Sequence, residues 1–548
     1  MDYANSLQST DKLKELLYEL VSVASVTLSD EEKVLPLLIQ QHLMKIPYFQ
    51  QNPTHLENHP TSDGRLFTTA LYQHPEATKT VVLISHFDVV SVEDYGDLKH
   101  LAFQPLELTK ELHVQKAKLP FDAQQDLESG DWLFGRGTMD MKLGLVQHMH
   151  LLEKASMEQW KINLLLVTVP DEEVNSVGMR EAIPKLVELS KIYELTYTLF
   201  LNSEPMFTQT PGDLGHYFYT GSIGKILPSV LCFGKETHVG EPLSGINAAW
   251  MSSVLSQEME WNEQFCEKVN AESTPPPTIL WQRDLKKEYS VQIPHRSVSM
   301  YNLMLMKKNP AEVMASMKEI ANKAAEKMEK FIEKKFQALH LTSHTNKIRV
   351  ISYEELKEYA CQKTSASYIA DLEKSYTESN IVDYREKVIH IVDQIAILCQ
   401  ELAPMMVIFY APPYYPAVYS GDNPTITELS NSLIEYTKQS FGYDLKPIEY
   451  FNGISDLSYV SLQAPLSDMN KYHSNAPGNQ NVYPIPFEEM AQFTAPVLNV
   501  GPVGRDAHKK TERLYMPFAF EQLPKMLEHI IKTHEKQDFQ TPSNQTKE

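Results

Sequence analysis

Residues 133–149 read LFGRGTMDMKLGLVQHM, a glycine-rich turn that leads into an amphipathic helical pattern. Two apolar runs flank this stretch, TKTVVLISHFDVV at 78–90 and KINLLLVTVPDEE at 161–173. Each run has the composition of a buried strand and ends in charged residues, so the order is strand, helix, strand. In sheets with crossover helices, functional groups gather at the carboxyl ends of the strands. The sequence therefore predicts an α/β fold with its chemistry at those strand ends.

The chain is long enough for more than one domain, because 548 residues exceed the size of an ordinary single domain. After Gly221 the pattern changes to that of a strand-and-helix α+β layer, and a buried-strand pattern resumes at MMVIFYAPPYYPAV, residues 405–418. We therefore predict a first domain over residues 1–221, an inserted α+β domain over 222–403, and the rest of the first domain over 404–548.

Charge and composition exclude several classes of protein. Fifty Lys and Arg against 71 Asp and Glu give a net charge of −21, which disfavours nucleic-acid or anionic-membrane partners. The four cysteines are far apart with no CxxC spacing, so neither a disulfide framework nor a thiolate zinc site is indicated. The N-terminal 21 residues lack the basic start and apolar core of a signal peptide, and no run of about 18 apolar residues occurs. We predict a cytoplasmic protein.

Candidate chemical groups follow the predicted strands. His86 and Asp88 in SHFDVV are two residues apart and share a strand face, as a metal ligand and the carboxylate that orients it would. By itself this pattern favours a core histidine satisfied by the aspartate. In PDEEVNSVG, three consecutive carboxylates that include Glu172 and Glu173 repel one another unless they share a cation. A solvated loop is the alternative for that segment.

Two further residues extend the set. Glu204 ends the apolar run LFLNSEP, and His508 lies in a glycine-rich loop, where a surface histidine is the alternative. The constellation suits two zinc ions, because histidine nitrogen and carboxylate oxygen are preferred zinc ligands and one aspartate can bridge two ions. Its members are His86, Asp140, Glu172, Glu173, Glu204 and His508. Two Zn²⁺ balance three of the carboxylates and one hydroxide, which leaves one carboxylate to move a proton.

Seven motifs in order give the chain a resemblance to a known family. They are SHFDVV, GRGTMDMKLG, PDEEVNSVG, NSEP, GKETHVGEPLSGINA, FNGISDLSYV and VGPVGRDAHKKTE. They resemble the motifs of the zinc-dependent aminoacylase and glutamate-carboxypeptidase family of amidohydrolases, with most similarity to its bacterial arginine-utilisation members. The resemblance implies a mixed-sheet di-zinc exopeptidase-like catalytic domain interrupted by an inserted α+β lid domain.

The resemblance also implies the metal ligands. Asp140 is expected to bridge two zinc ions, for which Co²⁺ or Mn²⁺ could substitute. His86 and Glu204 complete one site, and Glu173 and His508 complete the other. The glycines before Asp140 fit this reading, because a tight turn has to present the aspartate without side-chain obstruction.

Three residues are implied in catalysis. Asp88 is expected to orient His86, and Glu172 is expected to take a proton from the attacking water. His238, in the GKETHVG motif of the insert, matches a histidine that stabilises the oxyanion and that comes from a partner chain in dimeric relatives. A homodimer through the insert is therefore a further expectation, although this insert is longer than is typical.

The predicted function is metal-dependent hydrolysis of an amide bond in a small amino-acid derivative or short peptide, by a deacylase or exopeptidase, in arginine catabolism. The alternative is a non-catalytic small-molecule-binding protein that keeps the metal-site fold, against which the retained Glu172 argues. Five apparent ligands argue against a single-zinc enzyme. The family's Asp-x-Arg for a substrate carboxylate is replaced here by Asn302 and Met304; Arg296 is either its substitute or an ordinary surface arginine.

Overall fold

The computed structural model of the protein describes residues 7–210, 212–341 and 347–537. The first six residues, which belong to the N-terminal stretch considered above, lie outside the described part. The chain divides into two compact units. The first comprises Met1–Ser222, Tyr419–Ser461 and Gln492–Glu548, and the second comprises Ile223–Val418 and Leu462–Ala491.

The strands, in chain order, are β1 (Leu56–Pro60), β2 (Leu66–Tyr72), β3 (Thr80–His86), β4 (Trp132–Phe134), β5 (Asn163–Val169), β6 (Tyr197–Asn202), β7 (His216–Tyr219), β8 (Gly221–Ser222), β9 (Gly224–Phe233), β10 (Lys268–Val269), β11 (Glu272–Ser273), β12 (Thr278–Asp284), β13 (Arg296–Leu305), β14 (Arg349–Ser352), β15 (Met405–Tyr415), β16 (Val418–Tyr419), β17 (Leu445–Ile448), β18 (Val497–Asn499), β19 (Gly504–Arg505) and β20 (Arg513–Tyr515).

The α-helices are α1 (Thr10–Ser22), α2 (Asp30–Leu43), α3 (Pro47–Gln51), α4 (Pro105–Val114), α5 (Phe121–Ser129), α6 (Leu143–Glu158), α7 (Val177–Ile192), α8 (Ala248–Met259), α9 (Pro310–Ala338), α10 (Tyr353–Lys363), α11 (Ala366–Thr377), α12 (Tyr384–Leu398), α13 (Pro424–Phe441), α14 (Leu466–Asn475), α15 (Asn479–Val482), α16 (Phe487–Met490) and α17 (Leu523–Lys536).

The first unit is built on an eight-stranded mixed sheet with the strand order β1-β2-β5-β3-β6-β18-β7-β17. Its centre is parallel: β3 pairs in parallel with β5 and β6, and β18 continues in parallel beside β6. Every residue of β3 and β5 is buried, as expected for parallel strands covered on both faces by helices. This arrangement confirms the predicted α/β fold with a mixed sheet.

Helices cover this sheet with their apolar faces. In α1, Leu13, Leu16, Leu17 and Leu20 recur at helical spacing and are buried, and the side chain of Ser9 caps the helix by accepting from Lys12 N–H. Residues of α1, α6 and α17 join one core with Val81 and Leu83 of β3. Helix α6 packs on β3 and β5, and Asp140 in the turn that precedes α6 lies beside His86, the last residue of β3.

The second unit contains a five-stranded sheet with the order β12-β13-β9-β15-β14. Helix α9 begins with a capping box, in which Asn309 and Glu312 each accept a hydrogen bond from the other's backbone N–H. A separate core joins this sheet to α10, α11 and α12. The role of this unit as a lid or dimerisation domain stays a prediction.

The observed second unit differs from the predicted insert of 222–403 at its far end. β15, which begins at Met405, pairs antiparallel with β9 of the second unit rather than returning to the first sheet. Residues 462–491 also belong to the second unit. An apolar run identifies a buried strand but does not say which sheet receives it, and for this reason the predicted boundary at 403 is too early.

None of the helices in the described part of the chain combines the length and the apolar character needed to cross a bilayer.

Candidate metal centre

Three parallel strands bring candidate ligands to one edge of the first unit's sheet. His86 is the last residue of β3, and its register partner in β5 is Val169. Glu172 and Glu173 follow β5 by three and four residues, and Glu204 follows the end of β6 by two. Since the three strands run in the same direction, their carboxyl ends meet, and the predicted residues come together there.

Asp140 lies between two histidines. Its Oδ1 is 3.4 Å from Nε2 of His86, and its Oδ2 is 3.2 Å from Nε2 of His508. Glu204 Oε1 lies 3.5 Å from His86 Nε2, and Glu173 Oε1 lies 3.1 Å from His508 Nε2. Each oxygen of one carboxylate therefore faces a different histidine, and each histidine has a further carboxylate beside it.

These contacts define three groups, in each of which the potential ligand atoms lie within 4.8 Å of one another. The groups are His86, Asp140 and Glu204; Asp140, Glu173 and His508; and His86, Glu172 and Glu173. The first two are the ligand sets implied by the family resemblance. The third places Glu172 at the same centre, with its Oε2 3.9 Å from His86 Nε2.

The donor chemistry fits zinc. His86 is 1% exposed, and its Nε2 makes no hydrogen bond to any residue in the described part of the chain although carboxylates surround it. A buried nitrogen without a hydrogen-bond partner among carboxylate oxygens is what a Zn²⁺ ion would satisfy. The bridging and ligand assignments themselves stay predictions.

The buried charges perturb one another strongly. Burial is the largest cause that raises the pKa values of Glu172, Glu173 and Glu204, and neighbouring carboxylates raise them further. Burial would lower the pKa of His508, but hydrogen bonds to Asp140 and Glu173 outweigh it and raise that pKa to about 11. So many carboxylates close together are unfavourable unless positive charge neutralises them, whether protons, histidinium or metal ions.

The turn before Asp140 requires glycine at one position. Gly137 has φ +76°, and a Cβ there would lie 2.8 Å from Cγ1 of Val89. Its N–H donates to Glu512 Oε1 at 2.7 Å, and Arg136 Nη1 donates to the other oxygen of Glu512 at 2.6 Å. Glu512 thus ties the Asp140 turn to the segment that follows His508.

Asp88 has two kinds of contact. The Nδ1 atom of His86 lies 3.0 Å from the main-chain oxygen of Asp88 and 3.5 Å from its carboxylate. The carboxylate accepts hydrogen bonds from the backbone N–H groups of Glu172 and Glu173, at 3.0 and 3.3 Å, and from the hydroxyl of Thr27 at 2.7 Å. Asp88 therefore contacts both the imidazole and the loop after β5.

The remaining candidates lie in the second unit. His238 is exposed, and its Nδ1 accepts a hydrogen bond from Gly240 N–H at 3.0 Å. Arg296 is paired with Asp393 at 2.6 Å. Arg296 is the arginine that could have replaced the family's carboxylate-binding residue, and here its guanidinium is paired with Asp393 rather than left for a substrate carboxylate. The oxyanion role of His238 stays a prediction.

Several residues near the centre have no role in the motif-based prediction. Glu512 and Asp456 lie inside quoted motifs, HKKTE and FNGISDLSYV, so their positions are signalled without a function. Burial, together with Asp88 and Asp171, raises the pKa of Asp456 to about 7. Glu32 and Arg65 carry no signal for the contacts that they make with each other and with Asp171, because these three residues are far apart along the chain; Arg65 also pairs with Asp63, two residues before it.

Similarity to known proteins agrees with this geometry. The chain matches the model of peptidase family M20/M25/M40 over residues 82–479. It is 44% identical over 529 residues to the uncharacterized protein YqjN of Bacillus subtilis, with 96% of each chain covered. It is 28% identical over 549 residues to protein RocB of the same organism, again with 96% of each covered.

A solved structure extends the likeness to the fold. The M20 family metallo-carboxypeptidase Sso-CP2 from Sulfolobus solfataricus superposes with a TM-score of 0.54 at 12% identity, covering 96% of this chain and 99% of the other. The family match makes the protein a metallo-hydrolase, and the superposition shows that it shares the fold. It belongs to peptidase family M20/M25/M40, which confirms the family resemblance drawn from the seven motifs.

Proposed function

We propose that the protein is a di-zinc amidohydrolase that cleaves an amide bond in a small amino-acid derivative or short peptide. The observation that carries this proposal is the placement of Asp140, whose two carboxylate oxygens face His86 and His508 at 3.4 and 3.2 Å. A structural aspartate would need neither histidine in this arrangement. The additional carboxylates, Glu173 and Glu204, supply one further ligand for each ion.

In this proposal His86, Asp140 and Glu204 hold one ion, and Asp140, Glu173 and His508 hold the other. When bound, zinc acts as a Lewis acid that polarises the scissile carbonyl and makes water more acidic. Zinc is preferred on the nitrogen and oxygen donor set, and Co²⁺ or Mn²⁺ could replace it.

Glu172 is proposed as the group that moves the proton. It is buried beside the ligands but is not needed to complete either predicted set. Burial, with Glu173 and Glu204 nearby, raises the pKa of Glu172 well above its ordinary value. A carboxylate with a raised pKa accepts a proton from water more readily and can then donate it to the leaving amine. Asp88 holds the backbone of Glu172 in place for this transfer.

The substrate class includes N-acyl amino acids and dipeptides. The motif resemblance to arginine-utilisation members, together with the 28% identity to RocB, supports a place in arginine catabolism. Arginine derivatives therefore belong in any substrate set. A homodimer through the second unit and a cytoplasmic location are further parts of the proposal, to be tested by analytical ultracentrifugation and by cell fractionation.

The decisive experiment is a screen of N-acyl amino acids and dipeptides against zinc- and cobalt-loaded protein, with release of free amine as the measurement. The expected result is turnover of one substrate class that a chelator abolishes and that Glu172→Gln removes. Binding of these compounds without turnover, by both the wild-type protein and Glu172→Gln, would instead support the non-catalytic binding protein.

A further inference from the structure

A buried arginine lies beneath the loop that carries Glu172 and Glu173. Arg65, just before β2, is 3% exposed, and its Nη1 atom lies 3.0 Å from both carboxylate oxygens of Glu32 in α2. The same Nη1 lies 3.1 Å from Oδ1 of Asp171, which immediately precedes Glu172. Glu32 and Asp171 are both fully buried. One guanidinium therefore compensates two carboxylates that water cannot reach.

The two carboxylates in turn hold the loop backbone. Glu32 Oε1 accepts from Asp171 N–H at 2.9 Å, and Glu32 Oε2 accepts from Leu28 N–H at 2.7 Å. Asp171 Oδ2 accepts from Val177 N–H at 2.9 Å, which closes the loop at the first residue of α7. Together these bonds fix both ends of residues 171–177.

The loop needs such support because its backbone is not regular. Asp171 has φ +70°, a left-handed conformation that a non-glycine residue adopts only when its surroundings enforce it. The main-chain oxygen of Asp171 also accepts from Ser176 N–H at 2.6 Å. The direction in which Glu172 and Glu173 leave the sheet follows from this residue.

We propose that Arg65 is a positioning residue that acts through Glu32 and Asp171 to place Glu172 and Glu173 at the metal centre. The proposal rests on the proposed function for its catalytic consequence. Asp88 holds the same loop from the side of His86, whereas the Arg65 cluster, defined as Arg65, Glu32 and Asp171, holds it from the side of α2. Groups that orient metal ligands typically change metal affinity or activity by about 10- to 100-fold when they are removed.

The test uses two variants and one control. Arg65→Met removes the guanidinium, and Glu32→Gln keeps the side-chain shape but replaces one of the two accepting oxygens by an N–H₂ donor. The control is Ile39→Ala, because Ile39 lies on the same helix as Glu32 and is fully buried in the core, so its truncation lowers stability without touching the loop. Glu32→Gln decides the question if Arg65→Met does not fold.

Three measurements separate positioning from general stability. Amide hydrogen exchange of residues 171–177 is expected to speed up at least about tenfold in both variants and to be unchanged in Ile39→Ala. Zinc titration is expected to show one ion bound about 10- to 100-fold more weakly, with the other unaffected. Turnover is expected to show a reduced kcat with KM within about twofold, because the loop serves the reacting groups.

The proposal is overturned if Glu32→Gln leaves the exchange of 171–177 and both zinc affinities at wild-type values, or if Ile39→Ala reproduces its effects. The exchange and zinc measurements need no substrate, so they are independent of the proposed hydrolysis. Wild-type protein that binds two ions but hydrolyses no amide would refute the proposed function while leaving the loop test intact. An active enzyme with an unperturbed loop in Glu32→Gln would refute the positioning role alone.

Discussion

Glu172 and Glu173 are adjacent carboxylates, and substitution by glutamine should abolish turnover at the first and weaken metal binding at the second. Glu173 Oε1 lies 3.1 Å from His508 Nε2 and belongs to the set formed with Asp140. Glu172 lies 3.9 Å from His86 Nε2, and neither predicted ligand set needs it. Glutamine keeps the shape of each side chain, and the backbone hydrogen bonds to Asp88 do not depend on the side chain. The comparison therefore isolates the charge and the basicity of each carboxylate.

The two substitutions are expected to change different quantities, kcat in Glu172→Gln and zinc affinity in Glu173→Gln. Loss of a general base costs about 10²- to 10⁴-fold in kcat, which corresponds to about 3–5 kcal/mol in activation free energy. Glu172→Gln should show this loss with two zinc ions still bound. Glu173→Gln removes a charged ligand, so the affinity for one zinc ion should fall by at least about 100-fold. Even residues that only orient metal ligands change the affinity by up to that factor.

The assays are initial rates on the best amide substrate, metal content by mass spectrometry after dialysis, and zinc titration. Glu188→Gln is a matched control, because Glu188 is an exposed carboxylate on α7 paired only with Lys185 among the described ion pairs. It should leave both rate and metal content unchanged. If Glu172→Gln loses an ion while Glu173→Gln keeps two, the roles of the adjacent carboxylates are exchanged and the assignment is refuted.

Three further predictions concern other parts of the molecule. Zinc-loaded protein should contain about two ions per chain and His508→Ala about one; an unchanged content in the variant would contradict the two-metal assignment. His238→Ala should lower kcat by about 10²- to 10³-fold with both ions retained, as for loss of an oxyanion donor, and an unchanged kcat would remove His238 from the mechanism. Burial lowers the pKa of His534 from 6.5 to about 4. The free energy of unfolding that depends on this histidine is therefore highest above pH 6.5, where the imidazole is neutral, and it decreases as the pH falls towards 4. This loss amounts to about 3 kcal/mol, and urea unfolding at pH 7 and pH 4.5 should show a smaller pH dependence in His534→Gln.

The site residues that can be predicted from the sequence are those that lie at or just after the ends of apolar strands. β3 and β5 are apolar runs that stop at polar residues, and parallel pairing brings such ends together, so the sequence alone assigns His86 and Glu172 to one edge of the sheet. The helix expected after the glycine-rich turn is also present, as α6. Ordered motifs connect these segments to Glu204 and His508, which local pattern alone leaves ambiguous.

Pairing over long sequence separations is not predictable in the same way. The apolar run at 405–415 is recognisable as a buried strand, yet its partner, β9, lies more than 170 residues earlier in the chain, and nothing in the run specifies that sheet. Arg65 and Glu32 read as ordinary charged residues near a helix and a strand. Their burial becomes apparent only when the fold brings both of them beneath Asp171.

Two buried carboxylates explain how the candidate ligands are fixed by the protein itself. Asp88 accepts the backbone N–H groups of Glu172 and Glu173, and Glu512 accepts the N–H of Gly137 in the turn that leads to Asp140. Both carboxylates hold main chain, so each sets the position of a loop whatever the ligand's own charge, and the carboxylate of Asp88 also lies 3.5 Å from Nδ1 of His86. Both oxygens of Asp140 lie within 3.5 Å of a histidine nitrogen. Because the loops are held in this way, binding of metal requires displacement of protons from the histidines and carboxylates more than rearrangement of the backbone. Zinc affinity should therefore fall steeply as the pH is lowered, while amide exchange in the loops stays nearly the same with and without zinc.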